Sequence, residues 1–272
     1  MLCCIKMKNN YRDLPPRWDK TNNLVYFSYL LVLLFFIWSS KQVGLSPLEL
    51  LKGVPYMIRL LSEMLPPNFS RIFPLLKSIL ETLQIAFVGT FVGILGGFSL
   101  AIFAAKELSP IPKLYKISRG LIAFFRTIPD LIWAIFFVAT IGLGTSAGTL
   151  TIIVDTIGFS GRFFAEAMEE IEKKPQKALE AIGISKIAII FCAVLPEVLP
   201  SFINTSLFSL EKAVRSSVVL GLVGAGGIGI ELKVAMEMFN YDQASTILIL
   251  IFILVIIVEQ LSVNIRNKYI NN

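Results

Sequence analysis

Residues 21–40 contain no charged side chain and are bounded by Lys20 and Lys41. As a helix, about 20 residues rise about 30 Å, the thickness of a bilayer's hydrocarbon core. Inside that core every backbone amide must find its partner within the chain, so such a segment is helical or does not cross. Comparable apolar stretches recur at residues 82–105, 120–141 and 144–165, from about 187 onward, and at 244–263, the last crossing Glu259. These stretches predict an all-α integral membrane protein with about six transmembrane helices. Residues 41–74 hold Pro47, Pro55, Pro66, Pro67 and Pro74 between short amphipathic pieces, and are expected to form an extracytoplasmic loop with one or two surface helices.

Composition narrows the function. The 272 residues are 55% hydrophobic and 16% charged, with a mean hydropathy of +0.74; soluble domains average about 45–50% apolar and about 25% charged. Histidine is absent, which removes Ser-His-Asp triads, imidazole bases and the usual zinc sites. Cys3, Cys4 and Cys192 offer neither a disulfide framework nor a metal-binding spacing. The net charge of +6 is not arranged as a basic stripe interleaved with aromatics, so no nucleic-acid partner is indicated. Lysine and arginine cluster instead at residues 6–20, 106–119, 173–186 and 266–268. With an even number of spans, the positive-inside rule puts both termini in the cytoplasm, with residues 1–20 and 264–272 as cytoplasmic segments.

Three features carry candidate function. In the segment 162–186, Pro175 is expected to end a first helix, a second short helix to present Ala178, Leu179 and Ile182, and Gly183 to supply a left-handed C-terminal turn. A short helix, a glycine turn and an immediate return to the bilayer make a rigid cytoplasmic knob. Charges also fall within the spans. Arg126 and Asp130, four apart, form either an internal ion pair beside Pro129 or part of an anion path. Farther on, Glu211 and Arg215 are expected to neutralise each other, leaving Lys212 as either a weak anion site or an interfacial anchor. Finally, Gly224, Gly226, Gly227 and Gly229 allow an unwound turn, open to two readings: close helix packing, or amides facing the path. The run lacks the GK[ST] ending of a nucleotide loop, so no ATPase site is expected in this chain.

KALEAIGISKIAIIFCAVLP, residues 177–196, resembles the EAA loop of ABC importer permeases: an acidic-alanine-alanine triplet, a glycine four residues on, and a Leu-Pro pair whose proline lies thirteen beyond the glycine. Gly183, Leu195 and Pro196 match; Lys177-Ala178-Leu179 replaces Glu-Ala-Ala, with Glu180 and Ala181 following on the same helix. FFRTIPDLIWA at 124–134 and VLGLVGAGGIGIEL at 219–232 are similar to permease subunits of phosphonate importers, a branch that includes phosphite and phosphate carriers. The resemblance implies a type-1 (MetI-like) permease domain over residues 76–263 with cytoplasmic coupling helices, in the bacterial inner membrane. It further implies a non-enzymatic subunit that holds no cofactor, a second permease copy, ATPase subunits that bind the ATP and magnesium, and an extracytoplasmic phosphonate-binding protein. The competing reading is an ion-coupled secondary transporter that uses Asp130, Asp155 and Glu197.

Overall fold

A computed structural model describes residues 23–44, 46–106, 109 and 112–270. The expected N-terminal segment 1–20 lies outside the described residues. The chain forms two compact units, Met1–Leu60 and Leu61–Asn272. The first contains α1 (Asn23–Gln42) and most of the amphipathic α2 (Pro47–Glu63). α1 is apolar around its whole circumference, as a helix in lipid must be.

The second unit is helical among its described residues. It comprises α3 (Ile72–Ala104), α4 (Pro112–Thr127), α5 (Asp130–Ile141), α6 (Thr145–Glu170), α7 (Lys173–Ala181) and α8 (Lys186–Ile189). α8 runs through a π-helical turn (Ile190–Val194) into α9 (Leu195–Leu222), followed by α10 (Ile228–Glu237) and α11 (Tyr241–Ile270). Prolines mark many of these starts. Pro74, Pro112 and Pro175 each lie in a first turn, where a missing amide donor costs no helical hydrogen bond.

α6 is the centre of the unit and packs against α3, α4, α5 and α9. Its approach to α3 rests on small residues in register. A Cβ on Gly93 would fall 2.5 Å from the Thr156 side chain, one on Gly89 would strike Ile152, and one on Gly97 would overlap Ser160 Oγ and the Gly161 amide. Three apolar clusters follow along the unit. One, around Phe164, Ile190, Val194 and Phe202, lies towards α7. A second surrounds Ile152, Val214 and Leu220, and a third gathers Leu75, Ile228 and Ile247 where α3, α10 and α11 meet.

Several boundaries differ from expectation, each for a local reason. Among the described residues, four helical segments are long and apolar enough to cross a membrane: Val25–Gln42, Ile72–Ala104, Ile190–Leu222 and Tyr241–Lys268. The third expected span is not one helix. α4 and α5 meet at 87°, because Pro129 has no amide to donate and disfavours helical geometry at Ile128. α6, the fourth, spans about 39 Å at 1.5 Å per residue. It is less apolar than the four, carrying Asp155 and Arg162 among several Thr, Ser and Gly residues. Pro175 does not end the helix before it: α6 stops at Glu170, with Ile171 extended at φ −66° and ψ 158°, and Pro175 lies in the first turn of α7. Residues 264–270 continue α11, and Arg266 pairs with Glu211 of α9.

The packing predicts that Gly97→Leu, which forces α3 from α6, destabilises the bundle by at least about 1–3 kcal/mol. Gly120→Leu, at a position with nothing within 4 Å, should stay within about 0.5 kcal/mol. Thermal unfolding of the purified variants in detergent checks both.

Candidate functional site: the Gly183 turn and the polar face

α7 ends in a closed turn. The Gly183 amide donates to the Glu180 carbonyl at 3.0 Å and the Ile184 amide to the Leu179 carbonyl at 3.2 Å, the paired hydrogen bonds of a Schellman motif. Gly183 has φ +84° and open space where a Cβ would stand, so its backbone angle, not crowding, demands glycine. Leu179 and Ile184 flank the turn and each packs against the cluster around Phe164, at the two positions whose apolar side chains accompany this motif. Lys177, Ala178, Glu180 and Ala181 are exposed, and Ile182 is 73% exposed at the tip. The apolar face expected from Ala178, Leu179 and Ile182 is therefore divided: Leu179 anchors the knob and Ile182 is offered outward.

Behind the turn the chain enters α9 through the π-helical segment, where the Leu195 amide donates to the Ile190 carbonyl. The widened turn precedes Pro196 and Pro200, neither of which can donate an amide to the ladder. Leu195 is half-buried and Pro196 exposed. A continuous, locally wound helix thus leads from the knob into the bundle.

The charges within the bundle pair differently from the sequence expectation. Lys212 is not left over: its Nζ donates to both Asp155 carboxylate oxygens, at 2.9 and 2.7 Å, and lies 5.1 Å from the centre of the Phe159 ring. Asp155 and Phe159 are four apart on α6, so one helical face supplies both a carboxylate and a π-face to the ammonium. Glu211 is 9% exposed and accepts from Arg266 at 3.2 Å, so Arg215 has no carboxylate from its own helix. The expected Arg126–Asp130 pair does not form either, because the break at Pro129 turns the two residues onto different helices. Asp130 accepts from Ser216 Oγ at 3.0 Å instead. Among the described residues, Arg126 and Arg215 are exposed and have no hydrogen bond or ion pair.

One face of α9 is consequently polar along its length. Glu197, Ser201, Asn204, Phe208, Lys212 and Arg215 follow one another at spacings of three and four; Lys212 is half-buried and the others exposed. The glycine run lies elsewhere. Gly226, Gly227 and Gly229 are buried and Gly224 half-buried, which favours close packing of the two readings the sequence leaves open. A Cβ on Gly227 would fall 2.5 Å from Thr82 Oγ1, and one on Gly221 only 2.7 Å from Gly229 Cα. The first amide of α10, from Ile228, donates to Thr82 Oγ1 at 2.8 Å. These glycines knit α3, α6, α9 and α10 together, and the helix end that might have met a ligand is capped from within.

Sequence reasoning missed the pairing of Asp155 with Lys212 and the Thr82 cap. Unlike charges on separate spans were the available signal for the first; nothing local announces the second.

Residues 93–271 match the family described as "Binding-protein-dependent transport system inner membrane component". The phosphite transport system permease protein PtxC of Stutzerimonas stutzeri is 34% identical over 220 residues, covering 81% of this chain and 80% of the relative. The phosphate-import permease protein PhnE of Mycolicibacterium smegmatis is 37% identical over 227 residues, covering 83% of this chain but 43% of its own length. Among solved structures, an inward-facing MetNI methionine ABC transporter shares 26% identity and a TM-score of 0.66, covering 74% of this chain and 98% of that one. The chain belongs to the inner membrane components of binding-protein-dependent transport systems, and its bundle is the type-1 importer permease fold.

The Asp155–Lys212 pair makes a stability prediction. Lys212→Met or Asp155→Asn alone should each cost roughly 1.5–3 kcal/mol, as for a lost charged hydrogen bond. The double variant should recover part of that, because no uncompensated charge remains. A thermal-unfolding double-mutant cycle measures the coupling.

Proposed function

We propose that this chain forms the translocation path of an importer for phosphonate or a related phosphorus oxyanion, driven by ATP hydrolysis on a separate subunit. The observation that carries this reading is the polar face of α9. A charge at the bilayer centre costs roughly 2.5–3.5 kcal/mol on insertion scales, yet this face presents Glu197, Asn204 and Arg215 outward over several turns. Such a face belongs against water or a second copy. Two α9 faces opposed across a symmetry axis would enclose a wet, charged route. The cargo class follows from the relatives, which are named for phosphite and phosphate transport.

The knob is the handle for the motor. A closed Schellman turn anchored by Leu179 and Ile184 passes a push on Ile182 directly into the helix that carries the polar face. Closure of two ATPase subunits, which would hold the ATP and magnesium, then favours one orientation of the bundle over the other. An extracytoplasmic binding protein delivers the cargo at the opposite end. The basic clusters at 106–119 and 173–186 support a cytoplasmic position for the knob, and with it for both termini. Of the three carboxylates a secondary transporter would use, Asp155 is held by Lys212 on both oxygens and Asp130 accepts from Ser216, which leaves Glu197 alone exposed.

In membranes containing the whole transporter, Gly183→Pro removes both the positive φ and the donated amide and should abolish ATP-driven phosphonate uptake while insertion continues. Gly183→Asn, which tolerates the left-handed region, should keep most of it. Equal uptake by both variants would overturn the coupling role. With Cys3, Cys4 and Cys192 replaced by Ser, Ile182→Cys should react with a membrane-impermeant thiol reagent in inside-out vesicles and not in intact cells.

A further inference from the structure

A cavity of about 230 Å³ opens between α4 and α6, lined by Arg119, Ile122, Ala123, Arg126, Arg162, Ala165 and Glu166. Three guanidinium groups around one small space is a costly arrangement unless anions compensate it. Two of the three are already engaged. Arg119 donates to Glu169 at 2.7 Å and, through Nε, to the Ala104 carbonyl at 2.9 Å. Arg162 pairs with Glu166 on its own helix. Arg126 has no partner among the described residues.

Its position is built into the fold. The stem of Arg126 crosses α6 at Gly158, where a Cβ would stand 3.0 Å from Arg126 Cγ. Gly158 thus admits the arginine to the groove, and the break after Thr127 ends α4 one residue beyond it. The cavity has several times the roughly 30 Å³ that a water molecule occupies, enough for a small tetrahedral ion. A planar fork with free donors suits the oxygens of such an ion.

We infer that this cavity is a binding site for a phosphate- or phosphonate-type oxyanion, with Arg126 as the principal ligand, Arg119 and Arg162 completing a cationic pocket, and Glu166 limiting its affinity. Arg162 and Glu166 lie within the last three turns of α6, next to the coupling helix. On the import reading this puts the site on the side of the bundle where cargo leaves, and Glu166 keeps its hold weak enough for release. The exit role rests on the import reading; the anion chemistry does not. The same chemistry could come from a free oxyanion or from a phospholipid headgroup.

The test uses the full-length chain alone in nanodiscs. Methylphosphonate and inorganic phosphate are titrated calorimetrically in phosphatidylcholine, and retention of phosphatidylglycerol is read by native mass spectrometry in mixed discs. Free oxyanion should bind the wild type, bind about tenfold more weakly to Arg126→Gln, less weakly to Arg126→Lys, and more tightly to Glu166→Gln. A pair that is merely structural would instead lose binding or folding when Glu166 is neutralised. Phosphatidylglycerol retention that depends on Arg126, with no free-anion binding, would overturn the exit site and assign the cavity to a headgroup. Binding that ignores Arg126, or no binding of either kind, would overturn the site altogether. The readout needs no ATPase, so Arg126-dependent binding in a transporter that fails to import would sink only the import reading. Import together with Arg126-independent binding would sink only this inference.

Discussion

The contact between α3 and α6 is the constraint on which the rest depends. Glycine at positions 89, 93 and 97 lets Ile152, Thr156 and Ser160 lie against the α3 backbone. Without an aqueous hydrophobic effect between helices in lipid, such close approach is a main source of association. Because α3 lies on one side of α6 and α4, α5 and α9 on others, α6 is shielded from lipid over much of its circumference. That shielding is what allows Asp155 and Ser160 in the middle of α6. Polar chemistry in the middle of the molecule is thus a consequence of small residues on its neighbour.

From α6 the structure reaches outward in two directions. At one end, Ile171 leaves helical geometry and the chain folds into α7, whose apolar anchors return to the cluster around Phe164 and Phe202. The knob is therefore rooted in the same core as α6 and α9. Along the bundle, Asp155 holds Lys212 and Asp130 holds Ser216, so α5, α6 and α9 are cross-linked by polar contacts beside the polar face of α9. In the proposed coupling, a movement applied at Ile182 would arrive at helices already tied together.

Legibility from sequence follows the range of the physics. Residues 21–40 and 244–263 are recognisable because a long apolar run is a local property, and the Gly183 turn is recognisable because a helix stop is set by a few consecutive residues. Pro129 is visible as a break, but its 87° bend is not, since the angle depends on how α4 and α5 each pack on α6. The charge pairs fail for the same reason. Arg126 and Asp130 look like partners while both are placed on one helix, and Glu211 and Arg215 look like partners until Arg266, fifty-five residues away, enters the same space.

The sequence by itself determined that the chain is a helical membrane protein, where most of its spans lie, and that a glycine-closed knob connects two of them. Those outcomes follow from desolvation of backbone amides and from backbone angles, both settled within a few turns of helix. Tertiary structure alone decided which charges neutralise one another, that the glycine run is buried packing capped by Thr82, and that Arg126 is left unpaired over Gly158 among the described residues. Each depends on the depth and rotation at which distant helices meet, and an electrostatic partner a few ångströms away carries no signature in the spacing along the chain.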